Sequence, residues 1–161
     1  MKKHIFHIII LSLSLLFSCN KDKKALVQTP IKQEIKTKKT VVYQVFTRLF
    51  GNANTTSKPW GTIEENGVGK FNDFTEKALK EIKDLGVTHI WYTGVPHHNV
   101  ITDYTEYSIS NDDPDVVKGR AGSPYAVKDY YNVNPDLAEN VENRLEEFQD
   151  LIKRSHNVGL K

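Results

Sequence analysis

Between Phe71 and Val95 the apolar positions recur first at helical and then at strand spacing. Phe71, Phe74, Ala78, Ile82 and Leu85 return every three or four residues, with Glu76, Lys77, Lys80, Glu81, Lys83 and Asp84 between them. One apolar stripe is therefore predicted to face a core. Asp73 followed by Glu76 has the form of a capping box and sets the start of the helix. Gly86 supplies the residue that takes positive φ at its end, and the β-branched and aromatic run from Val87 to Tyr92 is predicted as a strand. Upstream, Val41-Val42-Tyr43-Gln44-Val45-Phe46-Thr47 is apolar nearly throughout, which predicts a strand buried on both faces, as in parallel sheets. Strand, helix and strand in this order give a right-handed crossover and parallel pairing, hence an α/β class.

The connections differ in character. Residues 51–70 are rich in Gly, Asn, Thr and Ser and read as a loop, in which Trp60 is either a packing anchor or a ligand platform. From Gly94 to about Glu142 the chain is polar, aromatic and proline-punctuated, with no helical stripe. That is far longer than an ordinary connection, and long ordered loops usually carry function. A second amphipathic helix is predicted from Arg144 to His156, with Leu145, Phe148, Leu151 and Ile152 on one face and Asn143 with Glu146 as its cap. Gly159 then repeats the part of Gly86, and Leu160 and Lys161 open a third strand, so the sequence reads as cut mid-element.

The N-terminus changes the picture. Lys2 and Lys3 precede an apolar run from Ile5 to Phe17, the charged and hydrophobic regions of an export signal, too short to cross a bilayer as a mature helix. Leu16-Phe17-Ser18-Cys19 looks like a lipobox, with cleavage leaving Cys19 as the acylated N-terminus, although Phe17 departs from the small residue usual there. Residues 1–18 are thus read as a lipoprotein signal peptide. Residues 19–39, with Lys21, Lys23, Lys24, Lys32, Lys36, Lys38 and Lys39, read as a solvated tether, and residues 40–161 as one domain. The expected location is the cell envelope, facing the periplasm or the cell surface, held to the membrane through Cys19. Cys19 is the chain's one cysteine, so there is no internal disulfide and packing alone must stabilise the domain. Formal net charge is +2, with much of the positive excess in the tether, which disfavours nucleic acid as a partner.

Four segments in order, VVYQVFTRLFGN at 41–52, GVTHIWYTGV at 86–95, SPYAVKDYYNVNP at 123–135 and RLEEFQDLIKRSHNVGLK at 144–161, resemble the N-terminal part of the catalytic (β/α)8 barrel of α-amylase-type glycoside hydrolases. The resemblance covers residues 40–161. It implies the N-terminal portion of a TIM barrel, truncated at the start of the third strand. It further implies a starch or maltooligosaccharide (α-glucan) substrate and an enzyme that is monomeric at full length. Tyr125 matches the tyrosine that stacks on the sugar whose bond is cleaved, and Asp129 and Tyr131 match the aspartate and tyrosine that follow it. Ser123-Pro124 stand where many members have His-Gly, and Gly94 where many have proline. His97 or His98 is a conjectural replacement for the missing histidine. The family's next motif, Asp-x-x-x-Asn-His, and its three catalytic carboxylates would all lie beyond Lys161, so no catalytic residue is assigned here.

Retaining glycoside hydrolysis needs two carboxyl groups about 5 Å apart, held by the ends of several strands. Two complete strands do not provide that scaffold, and the chain alone is expected to be inactive. Asp112-Asp113-Pro114-Asp115 lacks the alternating ligands and glycine of an EF-hand and reads as a solvated loop. No cofactor is assigned to these residues, and calcium is left to the full-length enzyme. Adjacent His97 and His98 do not form a zinc site and read as loop residues, and His156 reads as a helix-end residue. The main rival is a non-catalytic glycan-binding lipoprotein using Tyr125 and Trp60. A small doubly wound α/β domain is weaker, because no phosphate-binding turn follows the first strand.

Overall fold

A computed structural model describes residues 39–161; the segment read as a signal peptide, Cys19 and the run read as a tether, up to Lys38, lie outside the described residues. No helix among the described residues is long and apolar enough to cross a membrane.

Strand β1 (Val42–Phe46) pairs in parallel with β2 (His89–Thr93), in register from Val42 opposite His89 to Phe46 opposite Thr93. The connection carries a single-turn helix, α1 (Ile63–Asn66), capped reciprocally by Thr62 and Glu65, and then α2 (Glu76–Asp84). Helix α2 begins later than its apolar spacing suggests. Phe71–Asp73 forms a 3-10 turn, and Thr75 is the cap, its hydroxyl accepting from Ala78 N at 3.2 Å. The Asp73 carboxylate accepts instead from Lys70 N at 2.7 Å. This start turns Leu79 and Ile82 into the core and leaves Leu85, beyond the last turn, exposed. Gly86 follows at φ +88°, the left-handed value that closes a helix.

A single residue, Lys161, also pairs with β2. Lys161 N donates to Thr88 O at 3.0 Å and Lys161 O accepts from Ile90 N at 2.9 Å, the two bonds a parallel neighbour makes around one residue of β2. The sheet itself is the two-stranded parallel pair of β1 and β2.

Helices α2 and α3 (Arg144–Asn157) cover one face of the sheet. Val45, Phe71, Phe74, Leu79, Ile82, Leu151 and Leu160 form its core; Phe74 stacks on Phe50 at 4.0 Å and meets Tyr92 edge-on at 5.0 Å. The Tyr92 hydroxyl is bonded to Ser155 Oγ at 2.7 Å. The opposite face is open: alternate side chains Val42, Gln44 and Phe46 of β1 and Trp91 of β2 are exposed. The reading of β1 as buried on both faces is thus corrected, because one layer of helices covers one face.

The Asn143–Glu146 cap of α3 is also corrected. Asn143 makes no side-chain cap bond; the Glu147 carboxylate accepts from Glu139 N at 2.9 Å and Asn140 N at 2.7 Å. Leu151 and Ser155 are buried on this helix, while Leu145 is exposed.

Residues 94–142, read as a continuous loop, contain a second sheet. Strand β3 (Pro96–His98) pairs antiparallel and irregularly with β4 (Val127–Val133), placing His97 opposite Asp129 and His98 opposite Val127. His97 and His98 are therefore strand residues, and both are buried. Between the strands, Val100, Tyr104 and Ile109 form a small core of their own. Such a satellite core orders a long connection that has almost no regular structure.

Candidate functional site

The carboxyl ends of β1 and β2 lie level, joined by Thr47 N donating to Thr93 O at 3.1 Å, and the long loops leave from this edge. The first residue past the junction, Arg48, reaches across to Asp136, in the turn after β4, with Nη1 2.5 Å from Oδ2. Tyr104 donates its hydroxyl to the other carboxylate oxygen at 2.7 Å, and Asp136 N donates to Asn134 Oδ1 at 3.0 Å. Lys70 Nζ donates to the carbonyls of Asp136 and Ala138 at 2.8 and 2.9 Å. Burial and the neighbouring carboxylate push the Tyr104 hydroxyl well above the usual tyrosine range, so it stays a donor. Asp136 is 1% exposed, with both carboxylate oxygens engaged. It clamps the loops to the strand ends and has no oxygen left for chemistry.

Sequence reasoning missed this network, although a signal was there. Arg48 ends an apolar strand, and Asp136 sits in Val133-Asn134-Pro135-Asp136-Leu137-Ala138. A lone charge within an apolar run needs a partner, and here the two runs supply one another.

Tyr125 stands where the loop from β3 enters β4, 82% exposed, in a turn closed by Ala126 N donating to Ser123 O at 2.9 Å. Its ring is thus displayed and not packed. Asp129 lies on β4, and its carboxylate accepts from Tyr131 N at 2.8 Å, holding the strand's local shape. Tyr130 and Tyr131 are both exposed. Gly94, where the resemblance leads one to expect proline, adopts φ +88°, a value closed to a proline ring. Chain direction after β2 is therefore set by glycine, and the carbonyl of Val95 goes on to accept from Asn134 N at 2.8 Å.

Neither adjacent histidine can take the place of the missing one. Both nitrogens of His98 lie 3.1 Å from carbonyls, those of Pro96 and Ala121, and Nε2 is also 3.3 Å from the Asn134 amide. His97 is 2% exposed and neither ring nitrogen has a hydrogen-bond partner. Burial, then the nearby Lys128 charge, lower its pKa, so the ring is neutral at pH 7. Both side chains face inward, which overturns the conjectured sugar contact. The acidic run is likewise only partly solvated. Asp112 accepts from Val100 N at 3.0 Å and pairs with Lys128 at 2.8 Å, pinning the loop to β4. Among the described residues no group of three or more His, Cys, Asp or Glu could hold a metal ion.

Trp60 does not serve as a packing anchor. Its indole is 67% exposed and stands on the wall of a polar cavity of about 560 Å³.

These observations define an α/β unit with an open sheet face and an aromatic-bearing loop edge. No family model matches the sequence, and no curated protein matches it. Among solved structures it is similar to an alpha-amylase from Lactobacillus plantarum, at 30% identity and TM-score 0.45, over 76% of this chain and 21% of that one. It is also similar to a noncanonic maltogenic alpha-amylase from Thermotoga neapolitana, at 22% identity and TM-score 0.47, over 75% of this chain and 21% of that one. The chain spans about a fifth of the length of either structure.

Proposed function

We propose that this chain is the N-terminal portion of an exported, lipid-anchored α-amylase-like glycoside hydrolase acting on α-glucans, with Cys19 as the lipidated residue and Tyr125 as a sugar contact. The observation that carries the reading is the sheet. Parallel strands in sequence order, helices on one face and an open opposite face are what the first strands of a (β/α)8 barrel present before the ring closes. In such barrels the reacting groups gather at the carboxyl ends of the strands, the edge from which the Tyr125 loop leaves.

At that edge Tyr125 offers what a pyranose needs, an apolar ring for its C–H face and a hydroxyl for a neighbouring oxygen. The Arg48–Asp136–Tyr104 clamp holds the connecting loops to the strand ends. The nucleophile and the acid would come from later strands.

Extension of the reading frame past Lys161 and assay of the complete protein test this. The expected result is an Asp-x-x-x-Asn-His run shortly after Lys161, with cleavage of maltooligosaccharides. Tyr125→Ala should then lower kcat/KM about tenfold, the worth of one aromatic contact. Membrane recovery should be lost in Cys19→Ala. A complete protein that binds maltooligosaccharides without cleaving them would instead establish the non-catalytic glycan binder.

A further inference from the structure

We propose that the Trp60 cavity in the loop between β1 and α2 is a second carbohydrate subsite, which takes one neutral pyranose unit on the indole. Its lining residues do not include Tyr125. It rests on the glucan reading only for which glycan is bound, since the argument for a neutral sugar comes from the cavity itself.

Three features point to a ligand. The first is the cost of the display: Trp60 holds φ +58° and Ser57 φ +49°, left-handed values that side chains other than glycine rarely adopt. Such strain persists where the surroundings over-determine it, and it concentrates at ligand sites. The second is the bracing. Lys58 N donates to Asn66 Oδ1 at 2.7 Å, Asn66 Nδ2 donates back to Lys58 O at 2.8 Å, and Gly61 N closes the turn on Lys58 O at 2.9 Å. Lys58 also pairs with Glu65 on α1. Asn52 and Asn54 tie the rest of the loop to the α1 end through Asn66 O and Glu65 O, at 3.1 and 3.0 Å. The backbone that carries the exposed ring is thus braced, which removes part of the ordering cost of binding.

The third feature is the chemistry of the walls, which include Arg48, Asn52, Thr62, Thr102 and Arg120 as well as Trp60. An aromatic face sharing one cavity with amide, hydroxyl and guanidinium groups matches a sugar, one face C–H and the rim hydroxyl. Charge separates this from an anion site. Arg48 is neutralised by Asp136 and Lys58 by Glu65. The Glu64 and Glu65 carboxyl pKa values are lowered chiefly by hydrogen bonds, with Thr62 and Lys58 respectively, and in smaller part by the Arg120 charge nearby. With Arg48 and Lys58 paired and Glu64 near Arg120, the cations at the cavity do not outnumber the carboxylates beside them, which fits an uncharged polyol better than a phosphate.

The two tryptophans of the chain, Trp60 and Trp91, make the test direct. In full-chain Trp91→Phe protein, Trp60 is the sole indole, and its emission is followed during titration with maltotriose, cellobiose or inorganic phosphate. The proposal expects a saturable emission change with at least one neutral sugar, none with phosphate, and persistence of that change in a Tyr125→Ala background. Affinity electrophoresis in glycan-containing gels needs no Trp91 substitution. There Trp60→Ala should lose at least fivefold in retardation constant and Trp60→Tyr should recover most of it. A response to phosphate alone, or an indole silent to every neutral sugar, overturns the subsite. If glycan retardation then survives through Tyr125, the α-glucan reading still stands without it. Conversely, an indole response to cellobiose but not to maltotriose keeps the subsite and removes the α-glucan reading.

Discussion

Asp136 shows how a single side chain can matter to a site without touching substrate. Its carboxylate is buried between the Arg48 guanidinium and the Tyr104 hydroxyl, so removing its charge strands Arg48 at the strand end. Asp136→Asn should cost about 3–5 kcal/mol, the penalty for breaking a buried pair, read as a fall in unfolding free energy in denaturant. Tyr104→Phe removes one hydrogen bond to a charged group and should cost about 1.5–3 kcal/mol. His97 yields a pH prediction from the opposite situation, a buried ring with no partner. Its pKa is lowered in the folded state by burial and then by Lys128, with Asp112 and Asp129 pulling the other way and Arg144 adding to the depression. In the unfolded chain it binds a proton near pH 6.5. Below that value the unfolded state holds more protons than the native one, so stability should fall as pH drops, until the depressed native pKa is reached. The slope from this one group is at most about 1.4 kcal/mol per pH unit. Stability curves between pH 7 and 5 check this, and His97→Phe should flatten them.

Among the elements, what the sequence revealed follows from how local each determinant is. Helices α2 and α3, the two parallel strands and the left-handed glycine after α2 rest on spacing within a dozen residues, and all are found in the structure. The caps were misassigned because two candidates stood side by side. Asp73 and Thr75 can each cap a helix, and only the demand that Phe71 and Phe74 both reach the core decides for Thr75. Thr75→Ala should therefore cost about 1 kcal/mol, the ordinary value of a cap, with a lowered melting temperature as the readout. Strand β4 was missed for a different reason. Lys128, Asp129, Tyr130 and Tyr131 break the alternation a strand normally shows, and its partner β3 lies some thirty residues away with an irregular register. Pairing across such a separation leaves no periodic trace in one sequence. The same holds for the Arg48–Asp136 pair, legible only as two charges in apolar surroundings, and for the inward turn of His97 and His98.

At the scale of the molecule, the open face of the β1–β2 sheet separates the present chain from the larger protein proposed for it. Trp91 is 55% exposed on that face, opposite Gln44, with the exposed Val42 and Phe46 two residues to either side of Gln44 on β1. A side chain so placed contributes little to the unfolding free energy, because truncating it opens no cavity and exposes little that was not already wet. In this chain Trp91→Ala should therefore shift stability by less than about 0.5 kcal/mol, the range for surface substitutions, while reducing the binding of a hydrophobic dye to the folded protein. In a protein carrying the remaining strands, the same face becomes the filled interior of a closed barrel. The identical substitution should there cost about 3–5 kcal/mol, as large-to-small changes in packed cores do. Parallel denaturation of the two lengths, each with and without Trp91→Ala, measures the difference directly. A small effect in both would mean that no further strands close over this face, and the barrel reading would fail with it. A large effect already in the present chain would mean that Trp91 is covered in solution, for example by pairing of two copies through their open sheets, which sedimentation at varied concentration would reveal.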